Sequence, residues 1–417
     1  MSDSVHTIRT DAVVVGGGIA GLAASQLLRG SGVRVVVLDP QPPGGRARTD
    51  ERAGFLFNRG PHALYLAGEG IKVLAMLGVR PEGGPPSADG QGLIGDRMGA
   101  LPLGVASLLR TSLLGVKGKL AVGKLMARLA KVNTDRLGEV TFARWLDEQR
   151  LPPDAHQLLE AVARVATYVN APDIVAADLI VSQIQMASAA GVRYVHNGWQ
   201  SIVDSLTTGL DVHRLTALRV HAEGGEVSVE TAEGTTVVTK CAVVAAGTPD
   251  AISNMLGRAP FAVGPPTEAA CLDLGTSVPS QPGVLLGIDR PLYLSNHCPP
   301  ARLAPSGHSM VHVARYLAPG DDTDPADQKA ELEAHAARAG LTEERIVEKR
   351  YLHRMTVVGA LATAELGGLR GRPTCTDSGL SGVFLAGDWV GPRGHLVDAA
   401  LASAHDAATA AATMMGR

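Results

Sequence analysis

The hydrophobic pattern near the start of the chain predicts a strand, a helix and a second strand. Ala12–Val15 is a short apolar run of the kind found in parallel strands that are buried on both faces. Leu22–Arg29 continues with helical character, and Val33–Leu38 is a second apolar run that ends at Asp39. This succession is typical of an α/β unit with a parallel sheet.

A different alternation follows in the middle of the chain. Apolar and polar residues alternate over residues 219–240 and are interrupted at Gly224–Gly225 and at Gly234. This spacing predicts a small antiparallel meander with glycine turns. Lys240–Pro249 contains one more buried strand that ends in a glycine turn, so we expect it to join the parallel sheet.

The remaining segments mix helical and strand-like patterns. The pattern of residues 141–169 predicts two helices, which are separated at Pro152–Pro153 because proline ends a helix. Gly283–Ile288 and Met310–Tyr316 resemble strands, and residues 326–339 resemble a polar helix. These segments predict an α+β region outside the parallel sheet.

Glycines between the first strand and the first helix indicate a dinucleotide site. Gly16, Gly18 and Gly21 fit G-x-G-x-x-G, which provides a tight turn, a close backbone approach to a pyrophosphate, and close packing of helix on strand. Asp39 lies near the offset of roughly 20 residues at which an acid accepts hydrogen bonds from a ribose. Ile19, Ala20 and Pro40 flank these positions as further cofactor contacts. The motif alone leaves FAD and NAD open.

The next residues carry a family resemblance. "PPGGRART" contains Gly44, Gly45 and Arg46, and it resembles the second glycine-arginine motif of the FAD-dependent amine oxidase, protoporphyrinogen oxidase and phytoene desaturase superfamily. The resemblance implies FAD, with these three residues at the nucleotide. The residue types agree with it, since glycines free the backbone and a guanidinium pairs with phosphate. A solvated surface turn is the alternative reading.

Phe57–Tyr65 is similar to the segment that lies beside the isoalloxazine ring in that superfamily. Gly60, Pro61 and His62 occupy the matching places. The superfamily often has an acid where this chain has Asn58, so the contact that this acid makes is not predicted for Asn58.

Gly382–Ala408 resembles the C-terminal flavin motif of the same superfamily. The resemblance implies that Gly387 and Asp388 hold the ribityl and pyrophosphate groups. It also places Leu396 and Val397 at the start of a helix that points its N-terminus at the flavin.

The resemblance covers both ends of the chain and one middle portion, so it implies discontinuous domains. In the middle portion, Val212 matches a residue whose backbone contacts the adenine. The expected fold is a Rossmann-like FAD-binding domain, with a parallel sheet and a small antiparallel meander, beside an α+β substrate domain. The former comprises residues 1–69, 199–260 and 376–417, and the latter residues 70–198 and 261–375.

FAD implies that a hydride passes from a substrate carbon to flavin N5, while the protein positions that carbon. Four residues are candidates near the reacting groups, although turn capping or loop packing explains each of them as well; they are His62, Trp389, Arg393 and His395. The predicted domain junction adds three possible pocket residues, namely Tyr194, His196 and Trp199.

The expected substrate class depends on residue types that are absent or rare in the sequence. Related amine oxidases carry a lysine near flavin N5, but the corresponding stretch Thr267–Pro279 has none, and aromatic residues form only 3% of the chain. The C-terminal stretch "ALASAHDAA" resembles the phytoene desaturase branch. We therefore expect a dehydrogenase or desaturase of an apolar molecule. An amine or amino-acid oxidase, with Arg393 binding a carboxylate, and a flavoprotein with structural or non-redox FAD remain alternatives. Because no second complete dinucleotide motif occurs, oxygen or a quinone is the expected electron acceptor.

Composition excludes several other classes. A formal charge of −3 provides no basic field for nucleic acid. We expect no metal site, because the four cysteines lack ligand spacing and the acidic stretch "PGDDTDPAD" lacks a ligand-loop pattern. The polar stretch Met1–Thr10 has no apolar core of a secretory signal, so a cytoplasmic location is expected.

Residues 97–133 are unusual, since they contain seven basic residues and no acidic one. Apolar residues separate the basic ones at near-helical spacing. One interpretation is a peripheral contact with the anionic inner surface of a membrane. The other is an ordinary pair of helices with a solvated basic face.

Overall fold

A computed structural model describes residues 6–417; residues 1–5, the first half of the polar N-terminal stretch, lie outside the described residues. The strands are β1 (His6–Arg9), β2 (Ala12–Val15), β3 (Val35–Leu38), β4 (Thr49–Arg52), β5 (Phe55–Asn58), β6 (Leu64–Tyr65), β7 (Gly83–Gly84), β8 (Gly90–Ile94), β9 (Arg97–Ala100), β10 (Val192–Val195), β11 (Asp211–His213), β12 (Ala217–Glu223), β13 (Glu226–Thr231), β14 (Thr235–Thr239), β15 (Cys241–Val244), β16 (Thr267–Thr276), β17 (Val284–Gly287), β18 (Leu292–Asn296), β19 (Ser309–Leu317), β20 (Ile346–Val358) and β21 (Val383–Leu385).

The α-helices are α1 (Ile19–Gly30), α2 (Glu69–Met76), α3 (Val105–Arg110), α4 (Val116–Leu129), α5 (Phe142–Glu148), α6 (Pro153–Thr167), α7 (Ala177–Ala190), α8 (Gln200–Thr207), α9 (Pro249–Met255), α10 (Pro325–Arg338) and α11 (Leu396–Met414).

A five-stranded parallel sheet, in the order β11-β3-β2-β15-β21, unites strands that lie far apart in the sequence. Val14 on β2 pairs with Val37 on β3 and with Val243 on β15, and all three side chains are fully buried. Their apolar runs suit a strand covered on both faces. The predicted α/β class with a Rossmann-like sheet is confirmed.

Helices α1 and α11 lie side by side on one face of this sheet. The contact face of α11 is built from alanines such as Ala404, Ala407 and Ala411, and these small side chains permit a close approach. Each helix follows the carboxyl end of a strand, α1 after β2 and α11 after β21. Two helix N-termini with their free amides therefore lie at the edge of the sheet where ligands of open α/β sheets bind.

The other face of the parallel sheet is covered by the predicted meander. Strands β12, β13 and β14 pair antiparallel, and their turns lie at Gly224–Gly225 and Gly234 as expected. Strand β1 extends this sheet by pairing parallel with β14, an addition that the alternation within residues 219–240 does not reveal.

A seven-stranded mixed sheet, in the order β20-β16-β19-β18-β17-β8-β9, forms the second large layer. Helices α5 and α6 divide at Pro152–Pro153 as predicted, and residues 97–133 begin with β9 before the helices α3 and α4. The assignment of chain segments to two domains stays a prediction. Within residues 6–417, no helix has the length and apolarity needed to cross a bilayer.

Candidate active site

The turn between β2 and α1 is shaped by glycines that serve different purposes. Gly16 has a φ of +109°, and a Cβ on Gly21 would lie 1.9 Å from the carbonyl oxygen of Gly16. Both positions therefore require glycine for the turn and for packing of the helix on the strand. A Cβ on Gly18 would meet no protein atom within 4 Å. The fold thus gives no reason for glycine at Gly18, whereas close approach of a ligand to this backbone does.

Asp39 lies at the carboxyl end of β3 and is followed by the exposed Pro40. Ala20, in the first turn of α1, is buried. One carboxylate oxygen of Asp39 accepts the backbone N–H of Gly17 at 2.6 Å, and the other accepts that of Gln41 at 2.8 Å. Each oxygen keeps a second lone pair for another donor. Val212 lies beside this position, on β11, and pairs with Val37.

The two glycines of the second motif lie directly against the first motif. The N–H of Gly44 donates to the carbonyl of Gly17 at 2.7 Å, and Gly44 also forms a bridge with Gly18. A Cβ on Gly45 would lie 3.4 Å from the Cα of Gly18. The sequence therefore brings the two predicted motifs into contact.

Arg46 connects these motifs to the C-terminal one. Its Nη1 lies 2.6 Å from an oxygen of Asp388 and 2.9 Å from the carbonyl of Val357. Asp388 is nearly buried, and its other oxygen accepts the N–H of Gly359 at 3.2 Å. Gly387 is held by Ser403, whose hydroxyl accepts the N–H of Gly387 at 2.9 Å.

The start of α11 adjoins this ion pair. Leu396 has a φ of +53°, an uncommon conformation for a residue other than glycine and one that clusters at functional sites. Leu396 and Val397 both line a large cavity, as do Ile19, Arg46 and Asp388. Residues from both chain ends thus form one wall of a single space.

This cavity has a volume of about 1420 Å³, larger than the roughly 300–1,000 Å³ of most small-molecule sites. Away from the glycine motifs its wall is mainly apolar and comes from the helical region and the seven-stranded sheet. Leucines and valines of this wall include Leu101, Val122, Leu158, Leu159, Val162, Val165, Val284 and Leu286. The same space thus extends from the glycine motifs along an apolar wall.

Tyrosines are concentrated at this cavity. The chain has 6 tyrosines, and five of them line the cavity; these are Tyr65, Tyr168, Tyr194, Tyr293 and Tyr351. The hydroxyl groups of three of them are bound within the protein: Tyr65 donates to Ala166, Tyr168 to Pro61, and Tyr194 contacts Ser295. Burial raises the pKa of these three hydroxyls, so they stay neutral. Sequence composition, with 3% aromatic residues, gave no indication of this concentration.

His62 lies at the cavity, as the resemblance implied. Its Nδ1 lies 2.8 Å from the carbonyl of Gly60, beside the buried Pro61, and its ring centroid lies 5.0 Å from that of Trp199. Burial lowers the pKa of His62 to about 4, so the imidazole is neutral near pH 7. Nδ1 then carries the proton, and Nε2 is left as an acceptor.

Trp199 lines the cavity and carries an unused donor. Its indole Nε1 is buried and has no hydrogen-bond partner among the described residues. A buried N–H without a partner is costly, so it indicates an acceptor on a bound molecule. The backbone N–H of Trp199 is held by Asn58, whose amide oxygen also accepts from Thr49. Asn58 therefore holds the wall together and does not face the cavity.

The structure places the other predicted candidates elsewhere. Trp389 is 2% exposed and packs edge-on against Phe261 in the core, at a centroid distance of 5.0 Å. Arg393 forms ion pairs with Glu69 at 2.6 Å and Asp406 at 2.5 Å, so its charge is already satisfied. Neither Trp389 nor Arg393 is therefore proposed as a substrate contact.

Two predicted histidines are also not among the described residues that line the cavity. His395 is buried at the N-cap of α11, where its Nε2 lies 2.9 Å from the carbonyl of Thr167. Burial lowers its pKa to about 4. His196 accepts the N–H of Arg302 through Nδ1 and joins two loops.

A buried polar network behind the cavity wall was missed by sequence reasoning. Asp273 on β16 contacts His312 on β19 at 2.5 Å and Arg350 on β20 at 2.6 Å, and Arg350 itself lines the cavity. His297, another lining residue, lies next to His312 at a ring-centroid distance of 4.4 Å. Cys271, Asp273 and His312 approach one another closely enough to hold a metal ion. The carboxylate, however, is already compensated by the guanidinium, so we interpret the group as a hydrogen-bond network.

Comparison with known families supports the glycine motif between β2 and α1. The sequence model of a family described as an NAD(P)-binding Rossmann-like domain matches residues 14–78. This span contains all of the first and second glycine motifs and the segment around His62.

Solved structures share the whole fold. An oxidoreductase from Methanosarcina mazei is 16% identical with a TM-score of 0.74, over 98% of this chain and 100% of that one. Putrescine oxidase bound to putrescine is 16% identical with a TM-score of 0.75, over 99% and 100%. A fatty acid isomerase from P. acnes, described as producing CLA, is 16% identical with a TM-score of 0.68, over 96% and 98%. At these identities the likeness establishes the fold that this chain shares with them.

Proposed function

We propose that this protein is an FAD-dependent oxidoreductase that acts on an apolar small molecule. The observation that carries the proposal is one continuous cavity of about 1420 Å³, in which residues of three glycine-containing motifs meet an apolar wall. Solved structures with this fold include proteins named as oxidases, and a shared fold alone assigns no activity.

The residues present fit FAD. The open side of Gly18 leaves space for a pyrophosphate, Asp39 has free lone pairs for a ribose, and the N-termini of α1 and α11 offer backbone amides. Arg46 and Asp388 would hold the central part of the cofactor where they meet. The unused N–H of Trp199 and the acceptor Nε2 of His62 lie further along the same wall.

Bound flavin supplies the redox step by accepting a hydride from a substrate carbon. The chain's own residues bind and orient the substrate and exclude water. Tyr168, Tyr194 and Tyr293 present ring surfaces, since their hydroxyls are buried or bound within the protein. His62 is neutral and has one acceptor nitrogen, so it can orient a donor without carrying charge into the cavity.

Both carboxylates of the described cavity wall are paired with arginines, which argues against an ammonium substrate. Among the described residues that line the cavity, the only carboxylates are Asp50 and Asp388. Asp50 pairs with Arg350 at 3.0 Å, and Asp388 pairs with Arg46 at 2.6 Å. No lysine lines the same described wall. Neither an unpaired anion for an ammonium group nor a lysine of the amine-oxidase type is therefore available.

An amine is the second candidate, and the tyrosines favour it. Ring faces of Tyr65, Tyr168 and Tyr293 could attract a cation without a carboxylate. One neighbour is named for putrescine and another for cyclohexylamine. A non-redox role for the flavin is the third candidate, because another neighbour is named as a fatty acid isomerase.

Anaerobic mixing separates the three candidates. The purified protein, loaded with FAD, is mixed with panels of polyenes, porphyrinogens and amines while the flavin absorbance is recorded. Bleaching by an apolar compound, with mass spectrometry showing loss of two hydrogens, supports the proposal. Bleaching by amines alone supports the second candidate, and conversion of a substrate to an isomer without net bleaching supports the third. Protein that binds no FAD contradicts all three.

A further inference from the structure

Residues 101–126 carry an exposed apolar surface next to the cavity. Five large apolar side chains there are between 69% and 78% exposed, although large apolar residues are normally covered. We call these five the apolar patch; they are Leu103, Val105, Leu109, Val116 and Leu120. Exposed large apolar side chains concentrated in one short segment indicate an interaction surface.

The patch follows from helix geometry. Val105 and Leu109 lie one turn apart on α3, and Val116 and Leu120 lie one turn apart on α4. On α4 the buried stripe consists of Gly118, Val122, Leu125 and Leu129, and Val116 and Leu120 lie on the opposite side of the helix. One face of α4 therefore packs into the core, and its second apolar face has no partner among residues 6–417.

Basic residues surround the patch without being neutralised. Among residues 6–417, none of the seven cations of the segment forms an ion pair with a carboxylate. Lys119 donates through Nζ to the carbonyl of Leu109 at 2.7 Å. The seven are Arg97, Arg110, Lys117, Lys119, Lys124, Arg128 and Lys131. An apolar face with unpaired cations complements an anionic bilayer, which offers hydrocarbon and negative headgroups together.

We propose that α3 and α4 dock this protein on an anionic lipid bilayer through the apolar patch, so that the cavity opens towards the membrane. Leu103 belongs to the patch and also lines the cavity, and Met126 on α4, which is 38% exposed, lines it as well. A lipid-soluble molecule could thus pass from the bilayer into the apolar part of the cavity without crossing water. This entry route rests on the proposed function, whereas docking itself does not.

Vesicle co-sedimentation tests the docking with the FAD-loaded, full-length protein and no substrate. We expect sedimentation with vesicles of phosphatidylcholine and phosphatidylglycerol in equal parts, and weak sedimentation with phosphatidylcholine alone. The fourfold variant V105S/L109S/V116S/L120S should lose at least about tenfold in partitioning, because each buried methylene contributes to membrane binding. The variant K117E/K124E/R128E should lose a similar factor on anionic vesicles, since it reverses the charge beside the headgroups.

The matched control is L218S/V347S, which removes two apolar residues that are 53% and 49% exposed elsewhere on the surface. It should sediment like the parent chain. Circular dichroism and flavin absorbance confirm that each variant is folded. Absence of sedimentation, or equal sedimentation of the fourfold variant, overturns the proposal. Self-association that the fourfold variant abolishes, without any lipid binding, would instead make the patch an interface between copies and also overturns it. Docking in this assay, combined with no flavin bleaching by any apolar compound in the anaerobic panel, would contradict the proposed function alone.

Discussion

Arg46 and Asp388 form an ion pair, 2.6 Å between Nη1 and the carboxylate, that joins motifs from opposite ends of the chain. The carboxylate is nearly buried, whereas half of the Arg46 side chain is exposed and borders the cavity. Apart from Arg46, the hydrogen-bond donor that Asp388 has among the described residues is the backbone N–H of Gly359, at the long distance of 3.2 Å. The pair therefore aligns the N-terminal and C-terminal halves of the cofactor site.

Breaking this pair should weaken FAD binding. We expect Asp388→Ala and Arg46→Ala each to raise the Kd for FAD by about tenfold or more, because each leaves a charge at the site without its partner. If the two residues act as a unit, R46A/D388A should lose little more than the worse single variant. Fluorescence titration of FAD measures all three. Arg34→Ala, which removes an exposed ion pair with Asp11, serves as control and should leave the Kd unchanged.

Two glycines of the first motif should respond in opposite ways to alanine. At Gly18 a Cβ meets no protein atom within 4 Å, so Gly18→Ala should keep the melting temperature of the FAD-free protein but lower its affinity for FAD. At Gly21 a Cβ would lie 1.9 Å from the Gly16 carbonyl, so Gly21→Ala should lower that melting temperature by on the order of 5 °C. Calorimetry without FAD and titration with FAD separate the two effects. An unchanged FAD affinity in Gly18→Ala would contradict the assignment of Gly18 to the cofactor.

The sequence predicts those parts of the site that are local in the chain. The strands and helix around Gly16, Gly18 and Gly21 occur where the apolar pattern and the glycine spacing place them, since a βαβ unit is specified by its own residues. The meander and the division at Pro152–Pro153 are local in the same sense, because turns and proline act on neighbouring residues.

The rest of the cavity could not be predicted, because it depends on pairing between distant strands. Asp273 meets His312 and Arg350 only through the register of β16 with β19 and β20, and no local pattern encodes that register. Trp389 follows a cofactor motif in sequence, yet its side chain packs into the core against Phe261. Position next to a motif therefore does not determine which way a side chain points.

The buried network behind the cavity should be essential for stability. Arg350 is 7% exposed and compensates the fully buried Asp273, whose pKa stays low despite burial because His312 and Arg350 oppose that effect. Arg350→Met leaves this carboxylate partly uncompensated, which we expect to cost about 3–5 kcal/mol in the free energy of unfolding. Urea denaturation measures the loss.

A matched control lies on the same strand. Arg354 pairs with Glu268 near the surface, and Arg354→Met should cost no more than about 1 kcal/mol. Equal losses in the two variants would show that the network adds nothing beyond an ordinary surface ion pair.

Asp398, in the first turn of α11, should make stability depend on pH in an unusual direction. It is fully buried, one oxygen accepts the N–H of Gly70 at 2.7 Å, and burial raises its pKa to about 7 from 3.8. Because the folded pKa lies above the unfolded one, the protein should lose stability as the pH rises from about 4 to 7, and the loss should be complete above that range. Asp398→Asn removes the charge and keeps the acceptor, so relative to the parent it should gain about 2–4 kcal/mol at pH 8 compared with pH 4. Denaturation at both pH values measures this difference, with Asp204→Asn on α8 as control; an equal change at the two pH values would mean that Asp398 is not buried as a neutral acid.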